Sequence, residues 1–263
     1  MDSLAALRLQ VEWGADEALG EEPCDHFRSA PASAPAREAL VVPPAAPARP
    51  APVPAPVPAA ARSEAAASAA GTLDELHAAL DAFDGCPLRA MATATVRPDG
   101  NPAARLVLVA EAPGADDDRA GTAFAGPSGQ ALDRVLGSIG LDRSAVLLTH
   151  LVPWRPPGGR APTEAEIQVC LPFLLRLLRL VRPERLLLLG AAPARALCGS
   201  SDSIRRLRGR LLQAALPGAD ISIPALPMLP WDQWLRTPAG KRDCWADLLA
   251  LRLILDPALQ DNS

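Results

Sequence analysis

The chain has 263 residues, 49% of them hydrophobic and 21% charged, with a formal net charge of −4. That length accommodates one sizeable α/β domain plus a tail, and the charge balance excludes a protein held on nucleic acid by strong net positive charge, so any such surface must be a local patch. The five cysteines (Cys24, Cys86, Cys170, Cys198 and Cys244) are odd in number and lack the spacing of a disulfide framework.

The acidic N-terminus has no apolar core of signal-peptide length, and no uncharged apolar run reaches the ~18 residues of a membrane helix. The expectation is a cytoplasmic protein with no membrane association, its thiols reduced. Charge is uneven along the chain: residues 1–71 carry nine acidic side chains against five Arg, which accounts for the whole net charge. Residues 1–27 read as a short amphipathic helix, with Leu4, Leu7, Val11 and Trp13 in helical spacing, able to dock on the main domain or a protein partner. Residues 28–71 are dominated by Ala, Pro and Ser, with Pro-Ala-Pro-Val-Pro nearly repeated around residues 50–58. Such a segment buries too little apolar surface to fold and predicts a disordered, polyproline-like linker, itself a possible docking site for a partner.

A globular pattern begins at Thr72 and runs to residue 256, leaving 257–263 as a tail. Periodicity predicts helices over 73–83 and 129–139, and strands over 105–109 and 146–150. A long helix over 163–181 is opened by the capping box Thr163-Glu164-Ala165-Glu166. A strand over 185–189 ends at Gly190, and a helix over 193–198 follows. A Pro-interrupted strand over 221–228 and a helix over 241–255 close the domain. Strands alternating with helices predict an α/β fold with a central, mainly parallel four-stranded sheet flanked by helices.

The strand at 105–109 runs into Ala110-Glu111-Ala112-Pro113-Gly114. In a parallel sheet, ligands bind beyond the carboxyl ends of the strands, which is where this turn puts the Glu111 carboxylate. The same five residues also fit a plain strand-to-loop turn with a solvated Glu.

Further motifs follow in order. They are Asp116-Asp117-Asp118, Gly121-Thr122-Ala123-Phe124-Ala125-Gly126, Gly129-Gln130 and Ile139-Gly140-Leu141-Asp142-Arg143. Then come Arg155-Pro156-Pro157-Gly158-Gly159-Arg160-Ala161-Pro162-Thr163, Leu189-Gly190-Ala191-Ala192 and Arg208-Gly209. The series ends with Leu235-Arg236-Thr237-Pro238 through Lys241 to Trp245-Ala246-Asp247-Leu248. Over roughly residues 72–256 this series resembles the uracil-DNA glycosylase superfamily, in its iron–sulfur type known as family 4.

The resemblance implies that superfamily's fold and its chemistry, cleavage of the bond between a base and deoxyribose after the nucleotide is flipped out of the helix. In that chemistry a carboxylate activates water at an oxocarbenium-like centre, an aromatic ring stacks on the base, an Asn reads its edge and a His supports the oxygen where charge develops. Position by position, Glu111 matches the carboxylate and Phe124 the stacking ring, with plain core packing the other reading of Phe124. Ala110 and Gly114 match the base-binding motif.

The departures fall on working positions. His150 stands where the family has its Asn, as an altered base reader or a relaxed position. Pro230 stands where the family has its His, and proline has neither a side-chain donor nor a backbone N–H. Of the four cluster cysteines only Cys86 and Cys170 remain, with Phe83 and Trp154 at the other two positions. A four-iron cluster takes about four thiolates, so no cofactor or metal is expected, and Cys86 and Cys170 are expected as buried thiols. Arg155, Arg160, Arg205, Arg206 and Arg208 are candidate phosphate contacts or a solvated charged face. Trp231 and Trp234 are candidates to stack on a strand, cover the pocket or dock a partner. The resulting expectation is a divergent uracil-DNA glycosylase-like protein of base-excision repair that binds DNA with a flipped uracil or related base. Its N-glycosidic hydrolysis is weak, altered or lost; the alternative is a non-catalytic DNA- or protein-binding module.

Overall fold

The computed structural model of the chain describes residues 58–217, 221–234 and 236–255. The expected N-terminal helix over 1–27, most of the expected linker and the 257–263 tail lie outside the described residues.

In chain order the elements begin with helices α1 (Ala59–Ala69) and α2 (Leu73–Ala82), then strands β1 (Asp99–Gly100) and β2 (Leu106–Ala110). Next come α3 (Ala115–Ala120), α4 (Gly126–Gly137), β3 (Val146–His150), α5 (Glu164–Val181) and β4 (Arg185–Leu189). The chain continues through α6 (Ala191–Cys198), α7 (Ile204–Leu207), β5 (Leu212–Leu216), β6 (Ile221–Met228), α8 (Trp231–Trp234) and α9 (Pro238–Leu255). The capping box opens α5 as expected: Thr163 Oγ1 accepts from Glu166 N–H, and the Glu166 carboxylate accepts from Thr163 N–H. Among the described residues no helix is long and apolar enough to cross a membrane.

The four expected strands form the parallel centre of the sheet, whose order is β1-β3-β2-β4-β6-β5. Two short edge strands widen it to six: β1 runs antiparallel to β3, and β5 antiparallel to β6. Both escape a periodicity reading. β1 is two residues long, and the two alanines inside Leu-Gln-Ala-Ala-Leu favour a helix in isolation. The expected linker also ends earlier than residue 71, because Ala59–Ala69 is helical. Ala is the strongest helix former, and Ala67 and Ala70 are buried in the core, where α5 donates from Arg176 Nε to Ala70 O at 2.6 Å.

Successive side chains of β2 point to opposite faces. Val107 and Val109 join the core layer beneath α1, α2 and α5, whereas Leu106, Leu108 and Ala110 join the layer beneath α4 and α9. From β2 the chain proceeds to β3 on one side, and from β4 to β6 on the other. The carboxyl ends of β2 and β4 therefore flank the point where the connections diverge, the usual ligand crevice of an open α/β sheet.

Candidate functional site

At the end of β2, Ala110 pairs with His150 of β3 and Leu189 of β4, so the residues that follow these three strands share one rim. Glu111 is the first residue past β2. Its Oε1 accepts from the N–H of Ala192, near the start of α6, at 3.2 Å. Gly190 makes that approach possible: its φ is 118°, and a Cβ there would sit 3.1 Å from the Glu111 carboxyl carbon. Burial pushes the Glu111 pKa up, the Ala192 hydrogen bond opposes the rise, and the Asp232 carboxylate adds to it.

Phe124 has φ 53°, a left-handed conformation that costs a non-glycine residue about 1–2 kcal/mol. Groups from distant elements hold it there. Arg143 donates from Nη2 to Phe124 O at 2.9 Å while also pairing with Asp99 and Asp133. Asp117 accepts from Ala125 N–H at 2.7 Å through one oxygen and from Gly114 N–H at 2.9 Å through the other. A single buried carboxylate thus ties the Pro113-Gly114 turn to the loop carrying Phe124. Behind that loop, a Cβ on Gly129 would fall 1.7 Å from Phe124 O, so only glycine lets α4 pack this close.

His150 is buried and stacks on Phe124, its Nε2 3.5 Å from Asp117 Oδ2. Its Nδ1 is buried without a hydrogen-bond partner among the described residues. Burial drives its pKa well below the usual histidine value, only partly offset by Asp117. Trp231 meets Phe124 edge-on, with centroids 6.4 Å apart, and donates from Nε1 to Ser128 Oγ at 2.5 Å. Trp234 packs against Trp231 at 4.8 Å and is buried.

These groups line a cleft of ≈ 480 Å³. It brings together Ala110, Glu111, Gly114, Phe124, His150, Arg155, Arg160 and Pro230, and it adds Asp117, Ser128, Asp232 and Arg236, which the sequence reading had not assigned to the site. Asp232 and Arg236 pair at 3.3 Å on the rim. Asp117 carried one legible signal, its position three residues after Gly114 at the start of α3.

The basic residues divide. Arg155 faces the cleft, whereas Arg160 reaches its edge with its guanidinium donating to both oxygens of Glu166, at 2.9 and 2.6 Å. Arg205 and Arg206 are exposed on α7 and do not line the cleft. Arg208 departs from the expected phosphate contact. It pairs with Asp247 at 3.0 Å and Asp243 at 3.4 Å, bracing the loop after α7 against α9.

On the far side of the sheet, Cys86 and Cys170 are buried, and Cys170 Sγ donates to Cys86 Sγ at 3.9 Å. That hydrogen bond brings the Cys86 pKa down to about 7 and pushes that of Cys170 up. Phe83 is buried edge-on against Phe173, with centroids 5.3 Å apart. Trp154 is 1% exposed and donates from Nε1 to Thr95 Oγ1 at 3.2 Å. The four positions that the resemblance assigns to a four-iron cluster thus hold two thiols and two packed ring systems. A thiolate-ligated cluster does not fit these residues.

A family model described as the uracil DNA glycosylase superfamily matches residues 97–249. The chain is similar to the type-4 uracil-DNA glycosylase of Pyrobaculum aerophilum, 32% identical over 155 residues that span 57% of this chain and 79% of the relative. It is also similar to the type-4 uracil-DNA glycosylase of Archaeoglobus fulgidus, 33% identical over 159 residues, 59% of this chain and 80% of the relative. A shorter match, 41% identical over 93 residues, joins 35% of this chain to 43% of the type-4 uracil-DNA glycosylase of Saccharolobus solfataricus.

Proposed function

The chain belongs to the uracil-DNA glycosylase superfamily, and on that premise we propose that it takes uracil-containing DNA into the cleft at Phe124 as a divergent base-excision protein whose N-glycosidic hydrolysis is weak, altered or lost.

In this reading the flipped base stacks on Phe124, Arg155 meets a phosphate at the cleft mouth, and Glu111 in its ionised form draws a proton from the attacking water. The Ala192 N–H orients that carboxylate. The proposal includes no iron–sulfur cluster, so anaerobically purified protein should carry neither visible cluster absorbance nor stoichiometric iron.

The observation that carries the proposal is Pro230 in the wall of the cleft that holds Glu111. The site keeps its carboxylate but has no donor at that position for the base oxygen on which charge develops. Loss of one such donor costs roughly 100- to 1000-fold in rate. His150 supplies no ready replacement, since its Nε2 lies toward Asp117.

The test is uracil excision from single- and double-stranded oligonucleotides by wild type, Glu111→Ala and Pro230→His. Trace or absent excision in wild type that rises in Pro230→His supports the proposal. Efficient excision that survives Glu111→Ala overturns it. Silence in every variant, with DNA binding retained, assigns the chain to the non-catalytic binding class.

A further inference from the structure

Cys86 and Cys170 lie outside the cleft and take no part in the function proposed above. They sit 84 positions apart in sequence, one following α2 and the other on α5, yet their sulfurs are 3.9 Å apart and both side chains are buried. A disulfide has an S–S distance of about 2.05 Å, so closing the bond requires roughly 2 Å of sulfur movement.

A cavity of ≈ 40 Å³ reaches Cys170, with Phe173 and Leu80 also among its lining residues, and Cys86 lies directly behind that thiol, sulfur to sulfur. A water needs about 10–15 Å³ of such space, so the cavity has room for molecules of water's size beside Cys170. Among the described residues two other thiols remain. Cys198 lies on α6 and Cys244 on α9, and both are free.

We infer that Cys86 and Cys170 form a peroxide-responsive thiol pair that closes into an internal disulfide. Hydrogen peroxide, small and uncharged, oxidises one thiol to a sulfenic acid and leaves as water. The sulfur of the second thiol then attacks the sulfenic sulfur. Its proton and the departing hydroxyl leave as a second water, and the S–S bond forms. Two thiols lose two electrons and two protons, and one peroxide is reduced to two waters. The crosslink joins the turn after α2 to the middle of α5. His150 lines both this cavity and the cleft.

The full-length protein, reduced and then titrated with hydrogen peroxide, is alkylated in denaturant and mapped by peptide mass spectrometry. The expected result is a Cys86–Cys170 linked peptide, reversible by dithiothreitol, with Cys198 and Cys244 still alkylated. In Cys170→Ser, a sulfenic acid at Cys86 trapped by a dimedone-type reagent is expected in place of the link. The wild-type map stands by itself if that variant fails to fold. Free thiols at both positions after peroxide treatment, a link from Cys86 to any other cysteine, or iron held stoichiometrically by the pair would overturn the inference.

Discussion

The imidazole of His150 lies on the ring of Phe124 with centroids 5.3 Å apart and planes 14° from parallel, an offset stack. Phe124 and His150 both line the cleft, so in the function proposed above a flipped base shares the Phe124 ring with His150. Trp231 closes on the same ring edge-on. The proposed loss of rate thus has two sources in this cleft: no side-chain donor at position 230, and a ring already seated on Phe124.

Relief of both limits should restore excision. The double variant His150→Asn, Pro230→His is expected to cleave uracil about 100- to 1000-fold faster than wild type in single-turnover assays, the magnitude of one restored donor. Pro230→His alone should show part of that gain, because His150 still overlaps the base. A double variant no faster than wild type would place the defect elsewhere.

Acid should silence the site early. Burial and the Asp232 carboxylate raise the Glu111 pKa above its ordinary 4.5, and water activation needs the ionised form. Excision by Pro230→His should therefore fall as pH is lowered, with its midpoint shifted up from the ordinary glutamate value. Asp232→Asn removes a neighbouring negative charge and should move that midpoint down; an unmoved or higher midpoint in a pH–rate profile contradicts the assignment.

The two kinds of arginine should separate in two assays. Arg205→Ala and Arg206→Ala are expected to weaken DNA binding, each reducing the slope of log K against log salt by about 1, with little change in stability. Arg208→Ala strands Asp247, a buried carboxylate whose pKa burial already raises to about 6. It should cost about 3 kcal/mol in denaturant unfolding, as breaking a buried ion pair does.

Glu166 predicts an acid-dependent stability. Its pairing with Arg160 holds its carboxyl at about 2, below the usual 4.5. A depressed folded-state value contributes stability that is complete above the ordinary pKa and is lost as pH falls toward the depressed one. Glu166→Gln should cost about 1–2 kcal/mol near neutral pH through the lost cap and ion pair. The difference from wild type should close between pH 4.5 and about 2, read from unfolding curves across that range.

The parallel centre of this fold was legible because β2, β3 and β4 are aliphatic runs of the length and composition of doubly covered strands. Thr163 marked the start of α5 because a capping box is a local chemical event. α1 was lost inside the linker since its alanines continue the composition before it. What makes it part of the fold is long-range, namely the burial of Ala67 and Ala70 and the hydrogen bond from Arg176. In the cleft, Glu111, Phe124 and Pro230 were legible from motif positions. Arg143 was not legible as an anchor, because its partners Asp99, Asp133 and the Phe124 carbonyl are scattered along the chain. Arg208 reads as a phosphate ligand in isolation, and only folding brings Asp243 and Asp247 to it.

Asp117 and Arg143 both hold peptide groups of the loops around Phe124, so much of the cleft's contour is set by side chains to which no step of the proposed chemistry is assigned. That separation of mould from chemistry makes this chain a framework for installing a different base reader.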